Sequence, residues 1–217
     1  MNTISKLLNN KLAAFLLFAI AFGFIFNPWT KFPYTFICII FLILLFTFLQ
    51  DGNLKALNFR KIEMKSIGII LIAYVVLELS MDFIFQPLIN KIFNEPADYS
   101  SFEALKGNSA MYFKYLVFMW VSAAFSEELL FRAFAFSQFR RILGNQKIVL
   151  VILTAVLFSL PHLYQGAVGL VITFLFGLAF GWLYQKYQNI WINIIVHGLI
   201  DTFFLTLAYY GLLSFFS

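Results

Sequence analysis

Apolar runs of roughly twenty residues follow one another through nearly the whole chain, with most of the charge confined to the short gaps between them. About 20 residues is the length a helix needs to cross the hydrocarbon core of a bilayer. Backbone groups in lipid must satisfy one another, which leaves helices as the natural spanning structure for such runs. A soluble fold could not hide the apolar surface: 62% of the 217 residues are hydrophobic and 12% charged, against roughly half and a quarter in ordinary domains. The expected fold is an all-α, polytopic transmembrane helix bundle.

Seven spans are expected at roughly 12–28, 33–50, 67–89, 110–135, 147–163, 167–185 and 190–214. No Pro/Gly/Ser-rich linker, charge block or repeat divides them, so the chain reads as one membrane domain. The net charge of +5 would suggest nucleic acid in a soluble protein, but here the cations mark orientation and no nucleic-acid partner is expected. With the amino terminus inside, ten basic residues (Lys6, Lys11, Lys55, Arg60, Lys61, Lys65, Arg140, Arg141, Lys147, Lys186) fall on the cytoplasmic side and four (Lys31, Lys91, Lys106, Lys114) outside. That split predicts N-in, C-out. The run from Leu12 to Phe26 has a basic flank but no small-x-small cleavage pattern, so it is kept as a helix and not read as a signal peptide. Cys38 is the only cysteine, which rules out an intrachain disulfide.

Smaller features are read plainly. Trp182, Tyr184, Tyr187 and Trp191 flank the sixth connection as an aromatic belt. Gly177 and Gly181 form a small face for close helix packing. The fourth span runs on as an amphipathic helix to Arg140 and Arg141. The polar segment 94–108 is read as a solvated outer connection, with a substrate-facing cap as the alternative.

Ionisable residues inside the spans cost about 2.5–3.5 kcal/mol each at a helix centre and so face the bundle interior with a purpose. They are Glu78 and Asp82 on the third span, Glu127, Glu128 and Arg132 on the fourth, His162 at the end of the fifth, and His197 and Asp201 on the seventh. Glu128 and Arg132 are four apart with the acid first, the favoured order for an ion pair. Glu127, rotated by about 100°, has no local partner and is the natural general base. His197 and Asp201 also share a face at i, i+4, so the carboxylate can orient the imidazole. Pro161 disfavours helix at Leu160 and puts His162 at a kink or helix end, where Phe158 could wall its ring. At ~1.5 Å per residue, Glu127, His162 and His197 lie roughly 16–22 Å from the basic ends of their helices, close to one level.

Three motifs carry this set: Glu127-Glu128-Leu-Leu-Phe-Arg132, Phe158-Ser-Leu-Pro-His162 and His197-Gly-Leu-Ile-Asp201. In this order, on successive apolar helices, they resemble the CPBP (Abi) family, which includes type II CAAX prenyl endopeptidases and bacterial relatives linked to bacteriocin maturation and self-immunity. The resemblance covers about 110–205. It implies an intramembrane endopeptidase in which Glu127 and His162 activate water, His197 and Asp201 steady the oxyanion, and Glu128 with Arg132 supports the site. On this reading 1–109 holds three spans and the outer loop, and 110–217 forms the catalytic bundle. The substrate would be a membrane-embedded or lipid-anchored peptide or protein entering laterally from the lipid of the cell membrane. The CAAX endopeptidases carry asparagine where Asp201 stands, so Asp201 acts either protonated or by holding His197 as a cationic donor. No cofactor is expected. The alternative is a divalent metal such as zinc on Glu127, His162, His197 and Asp201. Two other classes are weighed: a non-catalytic immunity or scaffold protein of the same fold, and a proton-coupled transporter, whose repeated halves the sequence lacks. Glu78 and Asp82 belong to none of the motifs; they line a substrate or water path, or are solvated near a helix end.

Overall fold

The computed structural model describes residues 3–216, and every regular element in them is helical. In chain order these are α1 (Thr3–Leu8), α2 (Lys11–Gly23), α3 (Tyr34–Asp51), α4 (Met64–Ser80), α5 (Gln86–Phe93), α6 (Ser109–Met119), α7 (Ala135–Leu143), α8 (Lys147–Ser159), α9 (Gly166–Tyr187) and α10 (Ile190–Tyr210). Four helical stretches are long and apolar enough to cross a membrane: Tyr34–Asp51, Met64–Phe93, Lys147–Tyr187 and Ile190–Tyr210. Lys11–Phe26 is a shorter apolar helix.

Caps and breakers set the boundaries. Asn10, Asn108 and Asn189 each accept a backbone N–H of the first turn of α2, α6 and α10, as short polar side chains do at N-caps. Pro161 opens a 3-10 turn, Leu160–Gln165, and Gly166 follows with φ 78°, a left-handed conformation that glycine adopts without strain. The stretch Lys147–Tyr187 therefore folds back on itself as a hairpin. A Cβ on Gly177 would lie 2.9 Å from Ala155 Cα, and one on Gly181 would lie 3.2 Å from Val151 Cγ1. The two glycines thus let α8 and α9 approach closely, as the small-residue face predicts.

The rod 109–143 departs from the regular helix expected of it. Between α6 and α7 it is wound as π-helix over Trp120–Glu127 and again over Leu129–Phe134. A third π segment, Met81–Phe85, joins α4 to α5. Such wide turns re-aim the side chains they carry and recur at functional sites.

The bundle has two distinct ends. At one, Arg141 pairs with Asp51 at 2.8 Å and with Asn9, Gln50 and Gln138 exchange amide hydrogen bonds, Arg140 donates to Gln185 and Gln188, and Asn189 donates to the Lys61 carbonyl. Most of the basic residues gather here. Tyr184, expected in an aromatic belt, is instead buried at this end with its hydroxyl accepting from Asn58 at 2.8 Å. At the other end, backbone N–H groups of Asp98 and Gly107 donate to the carbonyls of Gln165 and Tyr209, and Asn90 donates to the Phe216 carbonyl. The first two bonds fasten the segment 94–108 to the start of α9 and the end of α10, and the third ties α5 to the turn after α10.

Candidate active site

The rod 109–143 passes through the core, and its midpoint delivers three charged side chains in six residues. Glu128 and Arg132 are both fully buried, and Glu128 Oε2 stands 3.2 Å from Arg132 Nε. The i, i+4 pair expected from the sequence is thus present. The guanidinium lies over two rings, with Cζ 4.2 Å from the Phe158 centroid and 5.2 Å from that of Phe180, a favourable desolvated contact for a cation.

Glu128 does more than hold its arginine. Its Oε1 accepts from His197 Nδ1 at 3.0 Å, and its Oε2 accepts from Asn193 Nδ2 at 3.2 Å. One carboxylate therefore fixes α10 against the rod and sets which nitrogen of His197 carries that proton. Asn193 also donates to the Phe180 carbonyl at 2.8 Å, which ties in α9. His197 stacks on Phe180, with centroids 4.9 Å apart and planes 25° apart. Its other nitrogen, Nε2, lies 3.7 Å from Asp201 Oδ2, so the face shared by His197 and Asp201 is also observed. Gly198 admits this packing: a Cβ there would lie 2.7 Å from the Trp120 ring, and Trp120 Nε1 donates to Thr202 at 3.1 Å.

His162 sits in the 3-10 turn after α8, where Pro161 directs it. Nδ1 lies 3.1 Å from the Phe158 carbonyl. A carbonyl only accepts, so Nδ1 carries the proton and Nε2 is left with a lone pair. Phe158 also walls the ring at 5.4 Å, as expected.

Glu127 differs from its neighbour. It is 7% exposed and its Oε2 has no hydrogen-bond partner. It lines a cavity of about 520 Å³ together with His162, His197 and Asp201, so residues from three separate motifs border one space. Glu128 and Arg132 stay behind this wall. Glu78 and Asp82, which fit no motif, line the same cavity, as do Tyr99, Ser101 and Phe102 of the segment 94–108. That segment is therefore more than a connection: it supplies part of the cavity wall. Asp98 Oδ1 accepts the Ser100 N–H at 2.9 Å and starts its turn; hydrogen bonding from the Ser100 side chain, and then from its backbone, holds the Asp98 carboxyl below its usual range. Burial pushes the Tyr99 hydroxyl up, with the nearby Asp82 charge adding to it, so Tyr99 is a neutral phenol at the cavity wall. Asn193 is the residue that sequence reasoning misses; the available signal is an amide one turn before His197 in an otherwise apolar helix.

Among the described residues no three His, Cys, Asp or Glu side chains form a group able to hold a metal ion. Of the four residues weighed as ligands, His197 has Nδ1 on Glu128 and Nε2 3.7 Å from Asp201.

Residues 109–203 match the family model described as type II CAAX prenyl endopeptidase, Rce1-like. The resemblance carried by the three motifs is thereby shown for the segment that holds them. No curated protein and no solved structure matches the chain. The family match and the four apolar stretches make this a multi-pass integral membrane protein.

Proposed function

We propose that this chain, with a type II CAAX prenyl endopeptidase-like domain at 109–203, is an intramembrane endopeptidase that hydrolyses a peptide bond of a membrane-embedded or lipid-anchored substrate. The observation that carries the reading is the division of labour between two adjacent carboxylates. Glu128 is consumed by Arg132, His197 and Asn193. Glu127 faces the cavity with a free oxygen and is the one able to take a proton from water. His162 Nε2, left as an acceptor, is the second base in reach of the same space. With its Nδ1–H given to Glu128, His197 serves the developing oxyanion through Nε2–H as the imidazolium, a form the neighbouring Asp201 favours. Water serves as the nucleophile without a metal.

The same reading places seven spans in the membrane, N-in and C-out. It is supported by the gathering of basic residues at one end of the bundle and by positive-inside bias. The cavity then opens toward the outer side, beneath 94–108, and the substrate reaches it from the lipid or from that face.

Proteomics of membrane peptides in cells carrying the intact protein or Glu127→Gln tests the function. Peptide termini that depend on Glu127 identify substrate and cleavage site together. Indistinguishable peptide profiles would favour the non-catalytic immunity or scaffold reading. Purified protein that loses cleavage on chelation and regains it with zinc would replace the glutamate-activated water with a metal-dependent one.

A further inference from the structure

The largely apolar stretch Met64–Phe93 carries two acids, Glu78 and Asp82, and its two lysines, Lys65 and Lys91, lie near its ends. The acids stand one turn apart, and no lysine, arginine or histidine forms an ion pair with either among the described residues. Glu78 Oε2 and Asp82 Oδ2 are both buried with no hydrogen-bond partner. Two acids kept in a spanning helix without a counter-charge point to a function for them. Both line the cavity that holds Glu127, His162 and His197.

Carboxyls outnumber imidazoles in the cavity wall, four to two, and His197 Nε2 stands 3.7 Å from Asp201 Oδ2, while among the described residues Glu78 and Asp82 have no ion-pair partner. Glu78, Asp82, Glu127 and Asp201 line the cavity, each with one buried carboxyl oxygen lacking a hydrogen-bond partner. No lysine or arginine lines it, and the nearest guanidinium, Arg132, is held behind the wall by Glu128. Glu127, more than nine-tenths buried, is aimed into the same space. The rest of the lining is largely apolar and aromatic. An occupant complementary to this surface is an apolar segment bearing one cationic nitrogen, because charge complementarity in a desolvated site selects its partner strongly.

We infer that Glu78 and Asp82 form a recognition subsite for a basic side chain, lysine or arginine, of the peptide that enters the cavity. The inference rests on reading the cavity as a peptide site; it adds which peptides the site prefers. The two carboxylates act as specificity residues and take no part in bond breaking.

Binding and cleavage are measured separately so that the two readings can fail separately. The probes are 20-residue apolar peptides with both termini blocked, carrying a single central lysine or norleucine. In lipid nanodiscs, full-length Glu127→Gln protein is expected to bind the lysine peptide about tenfold or more tighter than its norleucine twin. Glu78→Gln combined with Asp82→Asn brings that ratio to about one, with an unchanged thermal transition showing that the protein is folded. A lysine peptide with a free amino terminus that gains as much again would show that any amine is accepted and would overturn side-chain recognition. Equal affinity for the two blocked peptides, or a preference that survives in the double variant, would also overturn the inference. If lysine-dependent binding is seen but neither peptide is cut by the unsubstituted protein, the subsite stands and the proteolytic reading of these peptides fails.

Discussion

At the residue scale, the site depends on one buried carboxylate with three partners. Removing Arg132 leaves Glu128 charged in a core without its ion pair, and breaking a buried pair costs about 3–5 kcal/mol. Arg132→Ala and Glu128→Gln are each expected to lower the thermal transition in detergent steeply, while the double variant loses less than the sum. Strictly additive losses would mean that the 3.2 Å contact carries no coupling. Asp201→Asn is expected to keep most activity, because asparagine can donate to an oxyanion directly; cleavage rates of the two proteins decide it. The local pairs here are legible in sequence because i, i+4 spacing is a property of the helix itself. The bond from Glu128 to His197 is not, since nothing in the spacing of residues 69 apart says which of two helices' polar groups will meet. Asn193 goes unread for the same reason.

At the scale of elements, the hairpin of α8 and α9 is written in Pro161, Gly166 and the glycines that face α8. Gly177→Ala should destabilise by about 1–3 kcal/mol, because its Cβ would meet the backbone of Ala155 at 2.9 Å. Gly68→Ala on α4, with open space around it, should be neutral or slightly stabilising. Thermal unfolding of the two variants side by side tests whether α8 and α9 pack as described; equal effects would contradict it. The π-helical windings of 120–127 and 129–134 escape a reading built on a period of 3.6. Hydrophobic periodicity reports which face is buried, and a run that is apolar nearly all round does not report where a turn widens.

At the scale of the molecule, the charge pattern predicts which end faces the cytoplasm and therefore which face admits substrate. Single cysteines at Asn53, Glu103 and Gln146 in a Cys38→Ser background separate the possibilities, since all three positions are exposed. Asn53→Cys and Gln146→Cys should be labelled from inside and Glu103→Cys from outside; the reverse would place the cavity mouth in the cytoplasm. The lipid-facing architecture follows from composition, and the family domain from three motifs that together span less than half the chain. The contribution of the first half is invisible in those motifs. It emerges only when α4 brings Glu78 and Asp82, and the following loop brings Tyr99, to the wall of a cavity whose chemistry lies on other helices. That chemistry is read out by the rate at which purified Glu127→Gln protein, with an unchanged thermal transition, cleaves a membrane peptide. Loss of activity by a factor of about 10² or more, the usual weight of a general base, is the predicted result, and full activity in Glu127→Gln would contradict it.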